Sequence, residues 1–321
     1  MRYFYLLLLA LSMLLSGCGD PNQAKFDEQL PLTEQRLAQL ANALNKQDIR
    51  NARLIDSYAD TLIAQKPNLA PIINEFRKDA SSEGPMYQGL LQRLNEVKQQ
   101  PDLFESSEAR LNELQTIYQA ADSAIFSDAL SDPLNVLADM SDGELPRVNS
   151  LSKQQALAAN GAEDFGVGSQ LIGNPAYGQW QTNSSGMSFW EWYGMYALMS
   201  NLFGNDRVYY DRWGRKRGYS YYHDYGRSYY TSARKYRAQQ QLETRTRKSF
   251  ERRGQKFEST YAKPRTGSSG LSRQSKTAQQ ASKFRQTSSS KSKYASKSNY
   301  ASNSSFRNSR STTTRSFRRG K

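Results

Sequence analysis

The chain has 321 residues and a formal net charge of +14, from 44 Lys/Arg against 30 Asp/Glu. Cys18 is its only cysteine and His223 its only histidine, which excludes a disulfide framework and any metal centre built from several His or Cys ligands. Nothing in this composition implies a cofactor.

At the N-terminus Arg2 precedes an apolar run from Leu6 to Leu15, broken only by Ala10, Ser12 and Met13. Such a run is shorter than the ~20 apolar residues a bilayer span needs and has the form of a cleaved secretory signal. Small residues Ser16 and Gly17 then sit directly before Cys18, with Leu15 ahead of them. Leu15-Ser16-Gly17-Cys18 resembles the bacterial lipobox, L-[AS]-[GA]-C, at every position. The resemblance implies removal of residues 1–17, a diacylglyceryl group on the Cys18 thiol and acylation of the new amine. Two or more acyl chains, at ~0.8 kcal/mol per buried CH₂, anchor stably where one does not. The expected location is the cell envelope, lipid-anchored. Gly19 in place of an Asp favours the outer membrane facing the periplasm over the inner membrane. Residues 18–25 read as a tether.

Charge divides the rest in two. From Cys18 to Asp206 there are 13 Lys/Arg and 25 Asp/Glu; from Arg207 to Lys321 there are 30 and 5. An acidic half followed by a strongly basic one suggests separate tasks.

Residues 26–140 read as one helical domain, a bundle or helical-hairpin array, so that the predicted fold class is mainly α. Thr33 is placed to cap a helix bearing Leu37, Leu40 and Leu44. Ile55, Tyr58 and Leu62 continue the spacing up to Lys66-Pro67. Pro71 opens a short helix with Ile72, Ile73 and Phe76, and Pro85 opens one with Leu90, Leu91, Leu94 and Val97. Leu111, Leu114, Ile117, Tyr118, Ala121 and Ile125 form the clearest stripe. Asp132-Pro133 starts a last helix with Leu134 and Leu137. Apolar residues three and four apart mark amphipathic helices, and Pro, Ser and Asp supply the starts. No fixed period near that of helix-pair repeats emerges.

Residues 141–187 read as a flexible linker, rich in Gly, Ser, Asn and Gln. Residues 188–204 read as one aromatic, nearly all-apolar helix. Ser188 and Glu191 match a capping box, and Gly204 follows Phe203 as a stop. The helix is too short to span a bilayer. It is read as a core helix, a membrane-surface helix or a partner-docking helix. Its contact candidates are Trp190, Trp192, Tyr193, Tyr196 and Phe203.

Residues 205–321 read as a long basic tail, largely disordered, with at most partial order before Gln241. Its first part interleaves Arg and Lys with Tyr, and from Lys263 to Lys321 there is no acidic residue. So little apolar surface does not offset the ordering entropy of that many residues. Cations beside stacking rings suit a polyanion. The candidate contacts are Arg212, Arg215, Lys216, Arg217, Tyr221, Tyr222, Arg234, Lys235 and Arg237. Behind a lipobox the available partners are lipopolysaccharide, peptidoglycan, another polyanion or an anionic membrane surface.

No catalytic constellation stands out. His223 with Asp224 and a serine would place orienter and base side by side in the chain, and Glu163-Asp164 lies in the linker without a scaffold to separate the two pKa values. The expected object is a non-enzymatic envelope lipoprotein whose tail binds an anionic envelope polymer or membrane. The alternatives are a docking or assembly factor acting through the helical domain and aromatic helix and, more remotely, a carboxylate hydrolase.

Overall fold

The computed structural model describes residues 20–202, 207–261 and 270–289, with side chains up to 281. Cys18, Phe203, Gly204 and the end of the basic tail therefore lie outside the described residues. The chain divides into two compact units, 1–279 and 280–321. In the second, the described residues 280–289 are helical. All that follows concerns the first.

The protein is mainly α-helical. The first helix, α1 (Pro21–Asn45), starts well before Thr33. Asp20 caps it, its carboxylate accepting from the Asn22 amide at 2.9 Å, and Pro21 supplies a pre-set φ at the first position. Thr33 is a correction: it lies in mid-helix, fully buried, its hydroxyl donating to the Gln29 carbonyl at 3.0 Å. The tether assigned to residues 18–25 is accordingly helical from Pro21 onward.

Next come α2 (Arg50–Gln65), α3 (Ala70–Lys78), α4 (Pro85–Gln99), α5 (Ser107–Ala120), α6 (Ser123–Ala129) and α7 (Ser131–Met140). Helix α1 lies along α5, α2 packs on α3 and α7, and α4 packs on α5. Leu37, Leu40, Leu44, Ile55, Leu62, Ile72, Phe76, Leu94, Leu114 and Ile117 all enter one core. The long stripe from Leu111 breaks at Asp122, whose carboxylate accepts from the Ala124 amide at 3.0 Å and starts α6.

The segment read as a flexible linker is built into the fold. It contains α8 (Lys153–Asn160) and strand β1 (Gly178–Thr182), and Leu171, Ile172 and Tyr177 are fully buried. Three of its glycines, Gly168, Gly173 and Gly178, serve close approach. Gly173, at φ +88°, leaves no room for a Cβ, which would lie 2.8 Å from His223 and 2.9 Å from Trp213.

The segment read as one aromatic helix is also corrected. Ser188–Trp192 is strand β2, antiparallel to β1 with Trp180 opposite Trp190 and Thr182 opposite Ser188. Among the described residues of that segment only Leu198–Leu202, α9, is α-helical, preceded by a 3₁₀ turn at Gly194–Ala197. The capping-box pattern loses to period-two alternation on both strands and to the preference of Trp and Phe for a pleated surface. The connecting turn closes through the Asn183 amide donating to the Met187 carbonyl at 3.0 Å.

Beyond the hairpin, residues 207–261 are ordered rather than a loose tail. They form α10 (Tyr210–Lys216), a π-turn at Tyr222–Gly226, α11 (Arg227–Tyr230) and α12 (Ala233–Glu251). Helix α13 (Arg273–Ser289) follows. Tyr221, Tyr222 and Tyr230 enter the helical core, and α11 packs on α4 and α5. A second apolar cluster joins the hairpin to this region through Trp190, Tyr210, Trp213, Leu242, Phe250 and Phe257. The tyrosines supply the buried area that the low aliphatic content withholds.

Candidate functional site

Helix α12 carries the arrangement with the clearest capacity to bind. Ser232 caps it, its hydroxyl accepting from the Lys235 amide at 3.3 Å. Gln239, Leu242, Glu243 and Phe250 form the buried face. On the opposite face, at steps of three and four, stand Arg234, Ala238, Gln241, Arg245, Lys248 and Arg252, all exposed. Among the described residues none of the four cations in that stripe forms a salt bridge. From Arg234 to Arg252 the stripe extends ~27 Å at 1.5 Å per residue.

Two concavities adjoin this helix. One, of about 570 Å³, lies between α4 and the start of α12 and is lined by Gln88, Gln92, Arg93, Glu96 and Ser232 among others. The other, of about 230 Å³, lies over the hairpin and is lined by Gly178, Trp180, Thr182, Ser188, Trp190, Gln239 and Arg245. Pro175, Tyr193 and Lys235 line both. The Lys235 ammonium donates to the Pro175 carbonyl at 3.3 Å. Burial pushes that ammonium down from its ordinary pKa, and Glu96 works in the opposite direction.

Several residues expected to face a ligand are structural instead. Arg217 is buried and pairs with Asp224 at 2.6 Å, while its Nε donates to the Thr260 carbonyl at 2.9 Å. Tyr221 and Tyr222 are buried. Their backbone amides donate to the Asp132 carboxylate at 2.7 and 2.8 Å, and Ser220 Oγ donates to it at 2.8 Å. A buried guanidinium or phenol that is already hydrogen-bonded does not reach a polymer in solution. Arg212 is exposed and pairs with Glu163, holding that carboxyl below the usual range. Arg215 is exposed and lies over the Phe250 ring at 5.1 Å, and Lys216 is exposed. Arg237 pairs with Glu105 at 2.7 Å. Arg234 and Lys235 stand on α12 as described.

Of the aromatic contact candidates, Trp190 is buried against Trp180 and Trp192. Tyr196 is buried edge-on to Phe76 and Tyr177. Trp192 is partly covered, and Tyr193, 37 % exposed, stays accessible at the junction of the two concavities. Arg245, Lys248 and Arg252 were absent from the sequence-level candidates. Their signal was their spacing, in opposite phase to Leu242 and Phe250.

The buried ionisable groups lie deeper. Burial raises Asp132 to about 7 against the pull of its three donors. Burial likewise raises Asp79 to about 8, although the Tyr177 and Tyr196 hydroxyls donate to it. His223 Nε2 lies 2.7 Å from the Ile172 carbonyl oxygen, which assigns the proton to Nε2, and Nδ1 has no partner. Burial, then the charge of Arg217, pushes His223 well below its ordinary pKa. Asp224 is held by Arg217 and Ser220 by Asp132, so neither orients nor meets the imidazole. Among the described residues no group of three or more His, Cys, Asp or Glu side chains is placed to hold a metal ion, and no helix is long and apolar enough to cross a membrane.

No family model, curated protein or solved structure matches this chain.

Proposed function

We propose that this chain is a non-enzymatic envelope lipoprotein, lipid-anchored at Cys18 on the periplasmic face of the outer membrane, that holds an anionic envelope polymer or membrane surface through its basic C-terminal half. The observation that carries the reading is the exposed stripe of Arg234, Arg245, Lys248 and Arg252 on one face of α12, free of acidic partners among the described residues. Cations held in register by a helix meet a polyanion without the ordering entropy that a loose tail would lose. Each contact releases counterions, so affinity falls steeply with salt. Lipopolysaccharide and peptidoglycan are the polyanions that such an anchor brings within reach.

The test is a salt titration of the full chain in detergent against lipopolysaccharide and peptidoglycan. A quadruple Gln variant at Arg234, Arg245, Lys248 and Arg252 is expected to weaken binding and to flatten the salt slope by roughly three to four units. Affinity and slope unchanged in that variant refute the reading. In cells, Cys18→Ser is expected to release the protein from membranes.

A further inference from the structure

The smaller concavity, which meets the larger at Lys235, is continuous with the cationic stripe through Arg245. Their chemistry is not that of a simple electrostatic surface. The floor of the smaller one is a single face of the hairpin. Gly178, Trp180 and Thr182 alternate with outward residues on β1, and Ser188 and Trp190 face them across the ladder. That floor presents the partly exposed Trp180 indole and the Thr182 and Ser188 hydroxyls rather than the hydrogen-bonding edge of a strand, so it does not invite an added peptide strand.

Side-chain amides and hydroxyls continue along both concavities: Gln88, Gln92 and Ser232 in the larger, Thr182 and Ser188 in the smaller. Each such group donates as well as accepts. A ligand of phosphates alone offers only acceptors and leaves half of this capacity unused. A ligand whose units carry hydroxyls uses both. At the waist, Tyr193 offers an accessible ring and Lys235 an ammonium with one of its donors on Pro175 and the others unassigned. Glu96 is the one acidic residue that lines either concavity.

We infer that the double cleft around Tyr193 and Lys235 binds an extended acidic glycan, its sugar rings stacked on the Trp180 and Tyr193 platform, its hydroxyls on the glutamine and threonine side chains, and its carboxylates on Lys235 and Arg245. This deepens the reading of the protein as a polyanion holder and rests on it. The stripe supplies general attraction, and the cleft selects polymers made of hydroxylated rings. Aromatic rings give contact area at low entropic cost, and a few placed polar groups give selectivity.

Four probes of equal length separate the possibilities in calorimetric titrations of the full chain in detergent: a hexauronate, a neutral hexaglucan, a hexaphosphate and a hexaglutamate peptide. The hexauronate is expected to bind tightest. Tyr193→Ala is expected to weaken it about tenfold and leave the hexaphosphate unchanged, since a phosphate chain has no ring to stack. Lys235→Gln, which removes the charge and keeps an N–H donor at that position, is expected to weaken the hexauronate and lower its salt slope by about one. A triple Gln variant at Arg234, Lys248 and Arg252, which leaves the cleft intact, is expected to weaken hexaphosphate more than hexauronate.

Hexauronate binding no tighter than hexaphosphate, or unaffected by both Tyr193→Ala and Lys235→Gln, overturns the cleft assignment while leaving the stripe in place. Preference for the peptide overturns it in favour of a protein partner. Hexaphosphate binding indifferent to the triple variant would instead remove the stripe, and with it the broader reading.

Discussion

The Asp132 carboxylate accepts the backbone amide of Tyr221 at 2.7 Å across 89 residues of sequence. With the Tyr222 amide and the Ser220 hydroxyl on the same carboxylate, one side chain at the start of α7 fixes the entry of the basic half into the helical core. Asp132→Ala leaves two buried amides and a hydroxyl without an acceptor. The expected cost is at least about 3 kcal/mol, a fall in Tm of roughly 10 °C, read by thermal unfolding. A variant that melts within a degree of the parent contradicts this role.

Arg217 and Asp224 form a second internal clamp, with side chains 1 % and 0 % exposed. Arg217→Met strands the carboxylate and is expected to destabilise by about 3–5 kcal/mol. The double replacement Arg217→Met with Asp224→Leu removes both charges and is expected to recover most of that loss. Urea unfolding of the three proteins forms the cycle that checks it.

How much of this was legible varies along the chain. The positions of α2 to α5 followed from Ile55, Leu62, Phe76, Leu94, Leu114 and Ile117, because a helix that buries one face repeats locally. The hairpin did not, because Ser188 and Glu191 satisfy a helix-start pattern while the decisive partner, Gly178–Thr182, lay in a segment read as linker. The order of residues 207–261 was hidden for a similar reason. Arg237 and Arg212 are met by Glu105 and Glu163, and the Tyr221 and Tyr222 amides by Asp132, all far away in sequence, and its core is tyrosine rather than aliphatic. Composition treats such a stretch as too polar to fold, since it does not register partners in the acidic half. The binding face was half legible: Arg234 and Lys235 stood among the candidates, whereas Arg245, Lys248 and Arg252 lay in a region read as unfolded.

Asp79 sets the sign of the pH dependence. Its carboxyl rises from 3.8 to about 8 on folding through burial. Below pH 4 both states are protonated and the contribution is fully present. As pH climbs toward 8 the unfolded chain has lost a proton that the folded chain retains, so stability falls. Asp132 acts in the same direction up to about 7, while the buried neutral His223 works against both below its unfolded pKa of 6.5 and is outweighed by the two carboxyls. The protein is expected to be less stable to urea at pH 8 than at pH 5, and Asp79→Asn to reduce that difference. Greater stability at pH 8 in the parent would be inconsistent with a buried neutral Asp79.

The hairpin gives a paired test. A Cβ on Gly178 would lie 2.3 Å from the Glu191 carbonyl oxygen and 2.6 Å from the Trp190 ring. Since that oxygen is backbone, Gly178→Ala has to part the strands, at about 1–3 kcal/mol or more. Gly186 in the turn meets nothing within 4 Å but has φ +77°, so Gly186→Ala is expected to cost only about 1 kcal/mol. Tryptophan fluorescence should shift red in the first variant and stay constant in the second.

The start of α1 at Pro21 has a mechanical corollary. Only Gly19 and Asp20 separate it from Cys18, a leash of at most ~11 Å. If fatty chains occupy that sulfur, the N-terminal end of a rod of 25 residues, ~37 Å long, is held within that distance of the lipid, and the body packed on it has little slack with which to search the periplasm. Held so, the folded body would meet its ligand within about one molecular diameter of the bilayer. Lengthening the leash by twenty Gly/Ser residues would then change which layer of the envelope it touches, a difference that crosslinking in intact cells would register.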